Sequence, residues 1–175
     1  MCRRGPVAVH ALHQALPAAL KWRGERCRLA APWGHYKTTT VTAALRASGL
    51  CATALLDGPT NGRRFCSYVT ETLVPDLQPG DIVVMDNLPA HKVAGVQDAI
   101  EAAGARLLYL PSYSPDFNPI EQAFAKLKAL LRSAAARTIP DLWAAIQQAF
   151  TCFTPQECRN YLAAAGYEND LAVAT

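Results

Sequence analysis

Acidic residues are missing from the first 24 positions of this 175-residue chain: Glu25 is the first carboxylate and Asp57 the first aspartate. Any chemistry that needs a carboxylate must therefore draw it from further along. The chain also lacks a run of about 20 apolar residues, so no membrane-spanning helix is expected. The opening MCRRGPVAVHALHQALPAAL has an arginine pair and apolar residues, but His10, His13, Gln14 and Pro17 break up the apolar stretch that a signal peptide requires. Charged residues are few, 18% against 51% hydrophobic, which excludes an intrinsically disordered chain. The net charge of +3 is compatible with nucleic acid without pointing to it. Six cysteines stand at 2, 27, 51, 66, 152 and 158, with no Cys-x-x-Cys pair and no Cys/His cluster at zinc spacing. A chain of this length and apolar content does not need disulfide staples. Reduced, packed thiols and a cytoplasmic location are the expectation.

What is present has a readable order. Val7 to Leu12 suggests a short strand. Arg28–Pro32, Thr38–Leu45 and Leu50–Leu56 are strand-like, and Ser48-Gly49 predicts a hairpin turn that makes the last two antiparallel. Phe65, Tyr68, Val69, Thr72 and Leu73 then recur at helical spacing, and the helix should end before Pro75. After a Pro79-Gly80 turn, Ile82-Val83-Val84-Met85 is continuously apolar, as a strand covered on both faces would be. A helix from about Val93 to Ala103, stopped by Gly104, and a strand at Arg106–Leu110 follow. Pro111 to Pro119 is a stiff loop. A long helix runs from Pro119 to about Ala136, and Thr138–Phe153 and Thr154–Ala165 are helices opened by a capping threonine. An antiparallel meander followed by β-α-β gives an α/β class with a mixed sheet flanked by helices.

Two carboxylates stand out by position. Asp86 closes the buried strand, at the carboxyl end where α/β sheets bind ligands; an Asp-Asn turn explains it equally well. Glu121 opens the long helix. With Asn118 as N-cap and Pro119 as first residue, Glu121 fits a capping box, and the helix field keeps it ionised, as a metal ligand must be. Ile120, Ala123, Phe124, Leu127, Leu130 and Leu131 form the buried stripe, and Glu121, Lys128 and Arg132 align beside it. Lys128 and Arg132 repel each other mildly unless a phosphate backbone, rather than water, lies against that face. Two acidic groups with cations beyond them suit two-metal phosphoryl transfer.

The segments IVVMDNLPAHK and LLYLPSYSPDFNPIEQAFAKLK closely resemble the DDE superfamily of transposase endonucleases, in the bacterial insertion-sequence branch related to mariner elements. In that branch the second acidic residue ends a strand as Asp-Asn with a histidine following, here Asp86, Asn87 and His91. The third is the Glu of Asn-Pro-Ile-Glu, here Glu121. Since 121 − 86 = 35, 34 residues separate them, the spacing typical of the superfamily. LLDGPTNG and RGERCRLAAPWGHYKTTT extend the resemblance from about Arg23 to Tyr167. It implies an RNase H-like fold and Mg²⁺ or Mn²⁺ held by Asp86 and Glu121. It also implies cleavage and joining of double-stranded DNA at transposon ends and target. Asn87 and Asn118 would support the metal ligands, Lys128, Arg132 and His91 would contact DNA, and a homodimer is compatible with the reading.

The front of the chain departs from the family pattern. The family's first aspartate lies on the first strand, upstream of the RGERC-like stretch, and no acidic residue stands there; nor does an upstream helix-turn-helix region. Residues 1–24 are thus expected to be an atypical amino end, as from a frameshift or wrong start. The catalytic domain is then 25–137, with 138–175 a short helical extension. His10 and His13 are disfavoured as substitute ligands, because lone histidines in such a segment are more often incidental. The chain is expected to be impaired as a nuclease; the alternative is a catalytically dead remnant that binds DNA or regulates transposition. A different RNase H-like nuclease, such as a resolvase or RNA-cleaving enzyme, is disfavoured by the spacing and the Asn-Pro-Ile-Glu motif. Asp57 and Asp116 read as turn residues, Gly34 with Lys37-Thr38 fails the phosphate-loop pattern, and Trp143 and Phe150 read as core.

Overall fold

The computed structural model describes residues 6–14, 38–112 and 114–167. Five strands form one mixed sheet in the order β3-β2-β1-β4-β5: β1 (Pro6–Gln14), β2 (Thr39–Arg46), β3 (Gly49–Asp57), β4 (Ile82–Met85) and β5 (Arg106–Tyr109). β1, β2 and β3 make the antiparallel meander, and β4 lies parallel to both β1 and β5. This is the sheet expected for an RNase H-like fold. The expected strand at Arg28–Pro32 lies outside the described residues.

The apolar pattern decides the layers. Val7, Val9, Val83 and Met85 pack with Phe65, Val69, Leu73, Val96 and Ile100 on one face. That layer holds α1 (Gly62–Tyr68) and α2 (Val96–Ala102). Ala8, Val41, Ala43 and Leu45 face the other way, onto α3 (Ile120–Ala134), α4 (Ile139–Phe150) and α5 (Pro155–Ala164). Two covered faces explain why β4 is apolar without alternation. Phe124 is wholly buried in the second layer, where removing its ring to alanine would cost roughly 3–5 kcal/mol.

Several expectations change in detail. Residues Pro6–Gln14, expected to lie in an atypical end outside the domain, are the sheet's middle strand. The helices after residue 138 pack onto the domain: Ile146, Ala149, Phe153 and Cys158 share a core with α3 and the sheet. The helix around Phe65 does not stop before Pro75. It widens into a π turn over Val69–Leu73 and tightens into a 3₁₀ turn over Val74–Asp76, which accommodates a proline that cannot donate an N–H. α2 begins at Val96 rather than Val93, after Gly95 at a φ of 94°. Gly104 ends α2 as expected: its φ is 77°, and a β-carbon there would stand 3.3 Å from the Pro79 Cα. Trp143 and Phe150 are only half-buried, and Trp143 Nε1 donates to Thr39 Oγ1 at 3.3 Å. Thr138 and Thr154 do cap α4 and α5, accepting from Asp141 N and Glu157 N.

Candidate active site at the carboxyl ends of the central strands

Because β1, β4 and β5 run parallel, their carboxyl ends open onto one rim. Asp86 follows β4 there, the chain after β5 turns through Pro111 and Ser112, and α3 starts close by. Together they enclose a cleft of about 390 Å³ whose lining includes Asp86, Asn87, Ser112, Asn118 and Glu121. The two carboxylates, with 34 residues between them, thus share one recess. The Pro111–Pro119 loop contributes Ser112, Ser114 and Pro115 to its wall; Ser112 and Ser114 were not singled out in the sequence, where a proline-rich loop carries no chemical motif.

Asp86 keeps a quarter of its side chain exposed, and its Oδ1 forms an ion pair with His91 Nδ1. His91 is 2% exposed. Its ring stacks on Phe65 with centroids 4.1 Å apart, and its carbonyl accepts a 2.9 Å hydrogen bond from Tyr109 Oη. Burial raises the Tyr109 pKa, so the phenol stays a neutral donor. The turn over Pro89–His91 folds the ring inward onto α1 and against the Asp86 carboxylate.

Asn87 Nδ2 donates to Ser112 Oγ at 3.3 Å, tying the loop after β4 to the loop after β5. Asn118 is not the side-chain cap that its sequence position suggests. The helix begins at Ile120 behind Pro119, with no side-chain cap, and Glu121 N donates to the Asn118 backbone carbonyl at 3.1 Å. The Asn118 side chain is 1% exposed, and neither its Oδ1 nor its Nδ2 has a hydrogen-bond partner among the described residues.

Glu121 sits half-buried in the first turn of α3, where the helix N-terminus sets partial positive charge beside it. The helix runs unbroken through Lys128 and Arg132, which repeat the Glu121 direction about 10 and 16 Å along the axis. Lys128 is half-buried and Arg132 exposed. Asp57 ends β3 as an exposed residue, and its carbonyl accepts from Arg64 Nη1 at 3.1 Å. On β1, Val9 pairs with Met85. His10 therefore follows Val9 as Asp86 follows Met85, and the strand position beside Asp86 carries a histidine rather than an acid. Among the described residues, no three His, Cys, Asp or Glu side chains are grouped to hold a metal ion. Nor is any helix among them long and apolar enough to cross a membrane.

The fold is shared with solved transposase structures. A pre-cleavage Mos1 transpososome matches with a TM-score of 0.65 and 18% identity, over 97% of this chain and 55% of that one. The Mos1 transposase catalytic domain with raltegravir and Mg matches with a TM-score of 0.66 and 18% identity, over 97% and 83%. A simian T-cell lymphotropic virus intasome matches more distantly, with a TM-score of 0.54 and 14% identity over 83% and 48%. The chain spans about half the length of the transpososome chain. At these identities the likeness shows an RNase H-like fold and nothing finer. No relative is found among the curated proteins. The model of the DDE superfamily endonuclease family matches residues 10–143, most of the chain including both cleft carboxylates, and the protein belongs to that family.

Proposed function

We propose that this chain is the catalytic core of a mariner-related transposase. In this reading it acts on double-stranded DNA by divalent-metal-dependent strand cleavage and transfer, and does so weakly by itself. The observation that carries the reading is the meeting of Asp86 and Glu121 in one cleft at the carboxyl rim of the sheet. Mos1 relatives include a strand transfer complex and a paired-end complex with a transposon end. Transposon-end and target DNA, and a homodimer bridging two ends, follow as the partners.

Two carboxylates lining one cleft suit a hard cation such as Mg²⁺ or Mn²⁺, which retains several waters. Held there by Asp86 and Glu121, the ion would supply positive charge at the attacking and leaving oxygens of the phosphodiester. The protein's own groups do the rest. His91 holds one Asp86 oxygen and fixes the plane of that carboxylate. The α3 N-terminus holds Glu121 at the mouth of that helix. Asn87 braces the rim, and Lys128 and Arg132 lead the DNA backbone away from the cleft. Four described cysteines, Cys51, Cys66, Cys152 and Cys158, are free thiols, which suits action on chromosomal DNA in a bacterial cytoplasm.

The weakness follows from β1. The resemblance calls for a first aspartate on that strand, and the position beside Asp86 is His10. This favours a second reading, a remnant that binds DNA or an intact relative without cutting. The purified chain is expected to bind duplex DNA with strong salt dependence and to nick plasmid DNA feebly in Mg²⁺ or Mn²⁺. Changing Lys128 and Arg132 together to alanine should lower the slope of log affinity against log salt by about 2. No DNA binding at low salt, or an unchanged slope, contradicts the proposal. Vigorous cleavage contradicts the impairment alone, and co-assembly with an intact relative without cleavage selects the regulatory reading.

A further inference from the structure

We infer that the side-chain carboxamide of Asn118 is a substrate contact, its Nδ2 donating to a non-bridging phosphate oxygen of DNA lodged in the cleft. The inference rests on the proposed DNA-processing role and names a residue that touches the substrate within it. A carboxamide carries two donors and an acceptor, and burying it without partners is costly, so native proteins seldom do so without a reason. Asn118 is 1% exposed, yet both its polar atoms lack partners among the described residues.

Its backbone is not the cause, because it is satisfied. Asn118 N donates to Pro115 O at 2.9 Å, and Asn118 O accepts from Glu121 N at 3.1 Å. Elsewhere the molecule uses such side chains as caps: Asn61 Oδ1 accepts from Arg64 N at 2.9 Å, and the Thr138 and Thr154 hydroxyls do the same for α4 and α5. Asn118 stands one position too early for that task, behind Pro119, which has no N–H to offer. Asn118 lines the main cleft, and with Pro115 and Glu121 it also lines a neighbouring recess. It therefore stands in the wall between them, beside the carboxylate proposed to hold metal.

The chemistry fits a phosphodiester. Asp86 and Glu121 bring negative charge to the cleft and repel a bare phosphate. A neutral N–H donor attracts a phosphate oxygen, and unlike a third carboxylate it adds nothing to that repulsion. Its Oδ1 can meanwhile accept from a water or hydroxyl brought in with the DNA.

The test compares wild type with Asn118→Leu, which keeps the volume without polar atoms, and with Asn118→Ala. Thermal unfolding and the binding of a fluorescein-labelled DNA duplex are measured together. Both variants are expected to bind DNA about tenfold or more weakly, as for a lost hydrogen bond to a charged group. The leucine variant should unfold at or above the wild-type temperature, since an apolar group replaces an unpaired polar one. Wild-type affinity in either folded variant overturns the contact, and if the leucine variant does not fold, the alanine variant decides. Failure of the wild-type chain itself to bind DNA is a different result: it overturns the functional reading and this inference with it.

Discussion

Two aspartates bracket β4, and they occupy opposite kinds of surroundings. Asp81, just before the strand, is wholly buried. Its Oδ2 accepts from Arg46 Nη2 at 2.6 Å and from Gln78 N at 2.9 Å. Burial alone would lower the Arg46 pKa, but the hydrogen bond and charge of Asp81 outweigh it and the value is raised. Arg46 also donates to the Asp76 carbonyl, so this end of the sheet is tied shut. Asp86, just past the strand, keeps a quarter of its surface, faces a histidine rather than an arginine, and opens on a cleft shared with Glu121. One strand thus ends in a buried, arginine-paired carboxylate on one side and a cleft-lining one on the other. An arginine neutralises its partner permanently, whereas a histidine orients a carboxylate that can still take a cation.

The largest effect should come from breaking the closed end. Arg46→Ala leaves Asp81 buried and uncompensated, and is expected to cost about 3–5 kcal/mol in urea unfolding. Asp86→Asn, at the open end, should change stability by less than about 1 kcal/mol, as for a site that keeps its hydration. Equal losses at both ends would remove the distinction. Next in size, His91→Ala should weaken Mn²⁺ binding by roughly 10–100-fold, the usual consequence of losing the group that orients a metal ligand. Titration calorimetry reads this directly, and unchanged affinity would leave His91 a core residue only.

How far these differences are legible in the sequence depends on what fixes each one. Asp86 and Glu121 could be placed because a local pattern fixes each: an apolar run that ends, and a helix that begins behind Asn-Pro. The capped helices opened by Thr138 and Thr154 were readable for the same reason. β1 was only glimpsed. Alanines and histidines in PVAVHALHQ have little strand preference of their own, and the strand exists through its pairing with β2 and β4. The burial of His91 depends on Phe65, contributed by a different helix. The Arg46–Asp81 pair joins residues 35 apart. Asn118 misled for a physical reason, since Asn-Pro before a helix looks like a cap until the helix starts one residue later.

Two smaller effects sharpen the contrast. Cys51 lies near the closed end, where burial pushes its thiol from 9.0 up to about 11, against the lowering influence of Arg46. A raised thiol value favours the folded state fully below pH 9.0, and that advantage is lost as pH rises towards 11. At neutral pH, iodoacetamide should therefore modify exposed Cys152 well before Cys51. Mass spectrometry of the labelled peptides checks the order, and a reversal would mean the end is not closed. The smallest effect belongs to a half-buried surface pair, Lys126 Nζ with Glu157 Oε2 at 2.6 Å. The hydrogen bond from Lys126, helped by Tyr161, holds Glu157 below its usual 4.5. A depressed carboxylate adds stability above pH 4.5 and loses it as pH falls through the folded value. Lys126→Met should thus cost under about 1 kcal/mol at neutral pH and still less in acid. Urea unfolding at the two pH values checks the sign.

The central claim is that Asp86 and Glu121 serve one cation together, and Mn²⁺ titration followed by amide NMR tests it most directly. Paramagnetic broadening should reach Asn87 and Ile120 at the same metal concentration, and either Asp86→Asn or Glu121→Gln should abolish it at both places. Broadening at one carboxylate that survives removal of the other would contradict the account.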